Sequence, residues 1–177
     1  MRRAWNRWKE LTQRHRWLGW LQDLALALLV LAAVFAWQTR NLVPSGEQAP
    51  DFALRDLSGR EWRSADLRGE PVVLHFWAPW CAVCAADSGA ISSLARSGFG
   101  GARVVSVAVA WQNVEDVRRF VREHGVDYPV LVGDDALMRS FRVDVFPTTY
   151  FISKEGRIRR STVGYTTWLG LRWRLWF

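Results

Sequence analysis

Phe76-Trp77-Ala78-Pro79-Trp80-Cys81-Ala82-Val83-Cys84 carries both cysteines of this 177-residue chain, three positions apart. Before it, Pro71 to Trp77 (PVVLHFW) is apolar except for His75 and reads as a buried strand. After it, Cys84 to Arg96 reads as a helix, with Gly89 a weak point inside. The pair thus sits where a strand hands over to a helix N-terminus. There, unpaired backbone N–H groups and the positive end of the helix dipole favour a thiolate over a thiol. Cys81, in the first turn, is expected to have a depressed pKa and to attack a disulfide. Cys84, one turn on and more shielded, is expected to pair with Cys81 and to resolve the mixed disulfide.

Other uses of two close cysteines fit less well. A structural disulfide across two residues constrains little chain and stabilises little. Zinc needs four ligands, and there is no second cysteine pair. Haem attachment needs a histidine after the second cysteine, and residue 85 is Ala. Two thiolates can hold copper(I), but His75 and His124 have no evident ligand spacing to the pair. No cofactor and no metal site is expected.

Outward from the pair, strands and helices alternate. Asp51-Phe52-Ala53-Leu54 and Glu61-Trp62 flank the turn Ser58-Gly59 as a hairpin. Arg103 to Val109 (RVVSVAV) is a second buried strand. Asn113 caps a helix over Val114 to His124 that Gly125 ends, with Val114, Val117, Phe120 and Val121 on its apolar face. Val130 to Val132 is a short strand and Ala136 to Phe141 a short helix. Thr148 to Ile152 and Arg157 to Gly164 are strands joined at Lys154-Glu155-Gly156. The result is an α/β sandwich about a central mixed sheet, over residues 51–177. Trp168 to Phe177 (WLGLRWRLWF) admits a short helix or an alternating strand. Its Arg172, Arg174 and tryptophans are expected near membrane headgroups.

The first forty residues differ in kind. Seven Lys/Arg stand against two acids there, a net +5, while residues 41–177 carry only +2 of the total +7. A nucleic-acid face is therefore a poor explanation of the basic pI. Residues 24–39 carry no charge, and Trp17 to Trp37 spans about 30 Å as helix, enough for a bilayer. Six basic residues precede this stretch and one follows it, so the positive-inside rule keeps the N-terminus cytoplasmic. The expected organisation is a basic cytoplasmic segment (1–16), a single transmembrane signal anchor (17–39), a linker (40–50) and an exported domain. A cleaved signal peptide, with Val34-Phe35-Ala36 before the cut, is the competing reading. Pro44, Ser45, Gly46 and Pro50 mark the linker.

Phe76 to Cys84 resembles the F-W-A-x-W-C-x-x-C motif of thioredoxin-like proteins. Ala49-Pro50-Asp51-Phe52, Asp56-Leu57-Ser58-Gly59 and Asp66-Leu67-Arg68-Gly69 resemble its membrane-anchored thiol-disulfide oxidoreductase branch. Gly164-Tyr165-Thr166-Thr167, the residues up to Trp176, and the basic, Trp-rich start resemble the bacterial suppressor for copper-sensitivity D group. The resemblance implies a thioredoxin-like fold with an N-terminal β-hairpin extension. It implies a cis Pro147 facing the cysteines, in a loop whose backbone pairs with substrate. The plainer reading of Pro147 is a strand-leading proline. Trp80, Phe146 and Pro147 are then substrate-contacting, although many relatives have a smaller residue where Phe146 stands.

His75 occupies the place of thioredoxin's buried acid, the proton acceptor for the resolving cysteine; it is equally readable as a hydrogen-bonded core histidine. Asp87, three residues past Cys84, stands where anchored reductants carry an acid. It can shuttle a proton or simply be a solvated helix residue. Those relatives often have Pro two residues later, where this chain has Gly89.

The expected activity is dithiol-disulfide exchange with exported proteins. The resemblance implies a periplasmic reductant at the bacterial inner membrane, recharged by a membrane thiol reductase. It would serve copper or oxidative-stress tolerance, or cytochrome c maturation. A copper carrier of the same fold is the alternative, but no histidine follows His124 to complete such a site. A thiol peroxidase needs Thr or Ser at residue 78, which is Ala.

Overall fold

The structure, a computed structural model, describes residues 2–176, and within these the side chains of 19–34 and 36–175. Met1 and Phe177 lie outside the described residues, as do the side chains of the 1–16 segment and of Trp17. The chain divides into two units, 1–40 and 41–177.

The first unit is one helix, α1 (Arg2–Thr39). Gly19–Thr39, 21 residues of mean hydropathy 1.9, is long and apolar enough to cross a membrane. From Leu24 through Leu28 and Leu31 this stretch is apolar all round.

The second unit is built on a seven-stranded mixed sheet. In chain order its elements are β1 (Ala53–Asp56), β2 (Glu61–Arg63), β3 (Val72–Trp77), α2 (Ala82–Ser97), β4 (Arg103–Ala108) and α3 (Val114–Glu123). There follow β5 (Val130–Val132), α4 (Asp135–Ser140), β6 (Thr148–Ile152), β7 (Ile158–Val163) and α5 (Trp168–Trp176). The strand order is β2-β1-β5-β4-β3-β6-β7. β3, β4 and β5 run parallel, and the other pairs are antiparallel.

All six residues of β3 are buried, because helices cover both faces of the sheet. Leu74 and Phe76 pack with Leu137, Phe141 and Tyr150 on the α4 side. Val73 packs with Ile91, Leu94, Phe151 and Leu171 on the other, and Trp77 with Val117 and Phe120. Gly89 does not interrupt α2, which ends at Gly98 in the left-handed conformation.

One segment differs from the sequence reading. Residues 41–50, expected as a linker, are docked on the domain. Leu42 and Val43 are buried, Gly46 N–H donates to the Ile158 carbonyl, and Ala49 N–H to the Gly156 carbonyl. Turn residues satisfied the local pattern, but two apolar side chains found the core. Of the two readings left open for the C-terminal stretch, the helix holds over Trp168–Trp176, because i, i+4 spacing buries Leu171 and half-buries Leu175 while Leu169 and Trp173 stay outside. Arg172, which broke the apolar face in the sequence, lies over the rings of Phe99 and Trp168 at 4.1 and 4.3 Å.

Candidate active site

From the end of β3 at Trp77 the chain runs through Ala78 to Cys81, just before α2. Cys81 is the N-cap of α2, not its first turn, and helix residues begin at Ala82. Its Sγ accepts the backbone N–H of Cys84 at 3.1 Å. A cap side chain in this place meets the N–H groups that the helix itself leaves unpaired. Cys81 and Cys84 are joined as a disulfide, with Cα atoms 5.2 Å apart. Cys81 is 8 % exposed and Cys84 1 %, so the first is the more accessible of the two.

Aromatic side chains frame the pair. Trp77 stacks on Phe120 at 4.2 Å beneath it. Trp80 is 68 % exposed, yet its indole N–H donates to the Ala110 carbonyl at 2.8 Å. Ala110 has φ +51°, a left-handed backbone that is costly for a residue with Cβ. Phe146 meets Trp80 edge-on at 5.8 Å and packs against the cluster of Trp77, Cys81 and Cys84. The Phe146–Pro147 peptide is cis and Pro147 is buried. The structure therefore brings Trp80 and the loop before β6 together at Cys81. A cleft of about 470 Å³ opens beside Trp80, lined also by Pro79, Gln112, Asp116 and Arg119.

Both titratable candidates are buried below this surface. His75 is paired in register with Thr149 of β6, and its Nδ1 lies 2.9 Å from Thr149 Oγ1. Burial pushes its pKa down to about 4, so the imidazole is neutral and bonded in the core. Asp87 is not a solvated helix residue: it is 0 % exposed. Burial pushes its carboxyl up to about 6, opposed by the hydrogen bond from the Thr166 N–H. Thr149, Thr166 and Ala110, the partners of His75, Asp87 and Trp80, escaped the sequence reading. Each acts through a pairing across 30 to 79 residues of chain.

The AhpC/TSA family model matches residues 45–161. Thioredoxin-like protein YneN of Bacillus subtilis is 31% identical over 155 residues, covering 84% of this chain and 91% of that protein. Thiol-disulfide oxidoreductase ResA of Geobacillus thermodenitrificans is 32% identical over 150 residues, covering 80% and 86%. The solved structure of a thiol:disulfide interchange protein described as DsbE, from Chlorobium tepidum, superposes with a TM-score of 0.70 at 25% identity, over 76% of this chain and 96% of that one. The chain belongs to the AhpC/TSA family and is a thiol-disulfide oxidoreductase of thioredoxin-like fold.

Proposed function

We propose that this oxidoreductase works as an extracytoplasmic reductant of protein disulfides, with Cys81 as nucleophile and Cys84 as resolver. The observation that carries the reading is the Cys81 sulfur at the N-cap of α2, accepting the Cys84 N–H and more exposed than Cys84. In the reduced protein the same N–H and the helix dipole stabilise a Cys81 thiolate. That thiolate attacks a substrate disulfide, forming a Cys81–substrate bond and releasing one substrate thiolate. Cys84, deprotonated, attacks the Cys81 sulfur, closing the intramolecular disulfide and releasing the second substrate thiol. Two electrons leave the pair, and a membrane thiol reductase restores them. Trp80, Phe146 and the Pro147 loop receive the substrate segment as an added extended strand.

Asp87 is the better of the two proton carriers. It lies one turn past Cys84, and its pKa of about 6 lets it exchange a proton near neutral pH. His75, held neutral and bonded to Thr149, is the core histidine. Iodoacetamide labelling of the reduced protein tests the assignment. Cys81 is alkylated first near neutral pH; preferential labelling of Cys84 overturns it.

The apolar Gly19–Thr39 helix and the basic residues before it support a single-pass anchor, with the N-terminus cytoplasmic and residues 41–177 in the periplasm. Recovery of a full-length chain from membranes supports this; a mature N-terminus at Trp37 overturns it. The resemblance of residues 164–176 supports a role in copper or oxidative-stress tolerance, with cytochrome c maturation the other outlet for the same chemistry. Copper sensitivity of a deletion strain, rescued by the chain but not by its Cys81→Ser form, tests the first.

A further inference from the structure

We infer that the end of the domain remote from Cys81 rests on anionic phospholipid headgroups, through α5 and the basic β6–β7 turn; this depends on the anchored reading above. β3 runs from Val72 toward Cys81, and Val72 pairs with Arg103 and Ile152. Pro71, Gly100 and the turn after Ile152 therefore lie at the opposite end of the sheet, roughly 20 Å from the cysteines by strand rise.

Two depressions meet at that end and share Gly100 and Leu175. One, of about 580 Å³, is lined by Lys154, Arg157, Arg159 and Arg160, with Glu155 as its acid. Its neighbour, of about 690 Å³, is lined by Phe99, Leu169, Arg172 and Trp173. Leu169 is 70 % exposed and Trp173 60 %. A basic surface on the β6–β7 hairpin thus runs into an apolar, tryptophan-bearing one on α5. That is the composition of an interfacial helix, whose aromatic and aliphatic side chains enter the headgroup boundary while arginines meet phosphates.

The chain passes this end at Gly46, four residues after Leu42 enters the core. Gly46 lines the basic depression, its N–H donates to the Ile158 carbonyl, and Arg157 Nη1–H donates to its carbonyl. Thr39 closes the apolar helix and Leu42 is already buried in the domain. The seven steps from Thr39 to Gly46 reach at most about 25 Å, too short to carry this end far from a bilayer that holds the helix. Charge and tether both select anionic lipid as the occupant. The consequence is functional: Cys81 faces away from the membrane toward soluble substrates, and the electron donor must reach it with an extramembrane part.

The full chain in nanodiscs tests this by amide hydrogen exchange. In discs containing phosphatidylglycerol, exchange at 154–160 and 168–176 is slower than in discs of phosphatidylcholine alone, and raised salt removes the difference. Lys154→Gln and Arg159→Gln, both at exposed positions, each lower the docked-to-free ratio about five-fold. A chain stripped from the lipid by alkaline carbonate overturns the anchor and this inference with it. A retained chain with equal exchange in both lipids overturns the inference alone. So does protection that grows with protein concentration in either lipid, which assigns the patch to a second copy of the chain.

Discussion

Asp87 Oδ1 accepts the backbone N–H of Thr166 at 3.0 Å, while Asp87 Oδ2 is buried with no hydrogen-bond partner among the described residues. One carboxylate oxygen is thus held and the other left unsolvated. This half-satisfied state is why the group resists ionisation, and it links the reaction centre to the segment that leads into α5.

Asp87 has a pKa raised from the ordinary 3.8 to about 6. Between those values the folded protein holds a proton that the unfolded chain has lost, so this group's contribution to stability falls as pH rises. Above pH 6 the loss is complete, about 3 kcal/mol at about 1.4 kcal/mol per pH unit. Asp87→Asn is expected to be more stable than the parent at pH 8 and equal to it at pH 3.5. Urea unfolding of the oxidised proteins at both pH values checks this; a pH-independent difference would sink it.

His75 runs the opposite way. Its pKa is lowered from 6.5 to about 4, so its contribution is present above pH 6.5 and is lost as pH falls toward 4. Between about pH 4 and 6 the two buried groups nearly cancel. Asp87→Asn is therefore expected to show stability rising with pH across that range, and His75→Gln to show it falling. Equal slopes in the two variants would refute the opposed pair.

The mixed disulfide is the intermediate to trap. Cys84→Ser keeps the attacking sulfur and is expected to accumulate partners as reducible high-mass bands, while Cys81→Ser traps few. Both lose turnover, since the cycle needs two sulfurs. Non-reducing gels after acid quenching read the outcome, and trapping by Cys81→Ser reverses the roles.

Phe146 and Trp80 form the aromatic rim beside Cys81. Phe146→Ala is expected to raise KM for a protein disulfide about five-fold, the worth of about 1 kcal/mol of aromatic contact. Reduction of a small aromatic disulfide changes little. An equal loss on both substrates would show that Phe146 acts on the cysteines and not on substrate.

Leu171 is fully buried and Leu169 is 70 % exposed on the same helix. Leu171→Ala is expected to cost about 2–5 kcal/mol by leaving a cavity among Val73, Ile91, Leu94 and Phe151. Leu169→Ala changes stability by no more than about 0.5 kcal/mol. Chemical denaturation of both distinguishes core from surface on α5, and comparable losses would contradict the packing described.

The order of strand, cysteine pair and helix was legible in the sequence because those signals are local. An apolar run ends at Trp77, Asn113 caps α3 with its own side chain, and Gly125 stops it. The hairpin of β1 and β2 and the β6–β7 hairpin were equally plain, since turn residues sit between short apolar runs. The two cysteines needed only their spacing and place to suggest a redox pair. What only the tertiary structure decided depends on partners distant in sequence. No local pattern says that His75 faces Thr149 and is held neutral, or that Thr166 binds Asp87, because both follow from strand register and from where the chain returns after β7. Nor does the turn-rich composition of residues 41–50 reveal that Leu42 and Val43 are buried. The last ten residues fitted two periods equally well. Burial settled Trp168–Trp176 as helix, because Leu171 and Leu175 had a sheet to cover and Arg172 had two rings to lie on.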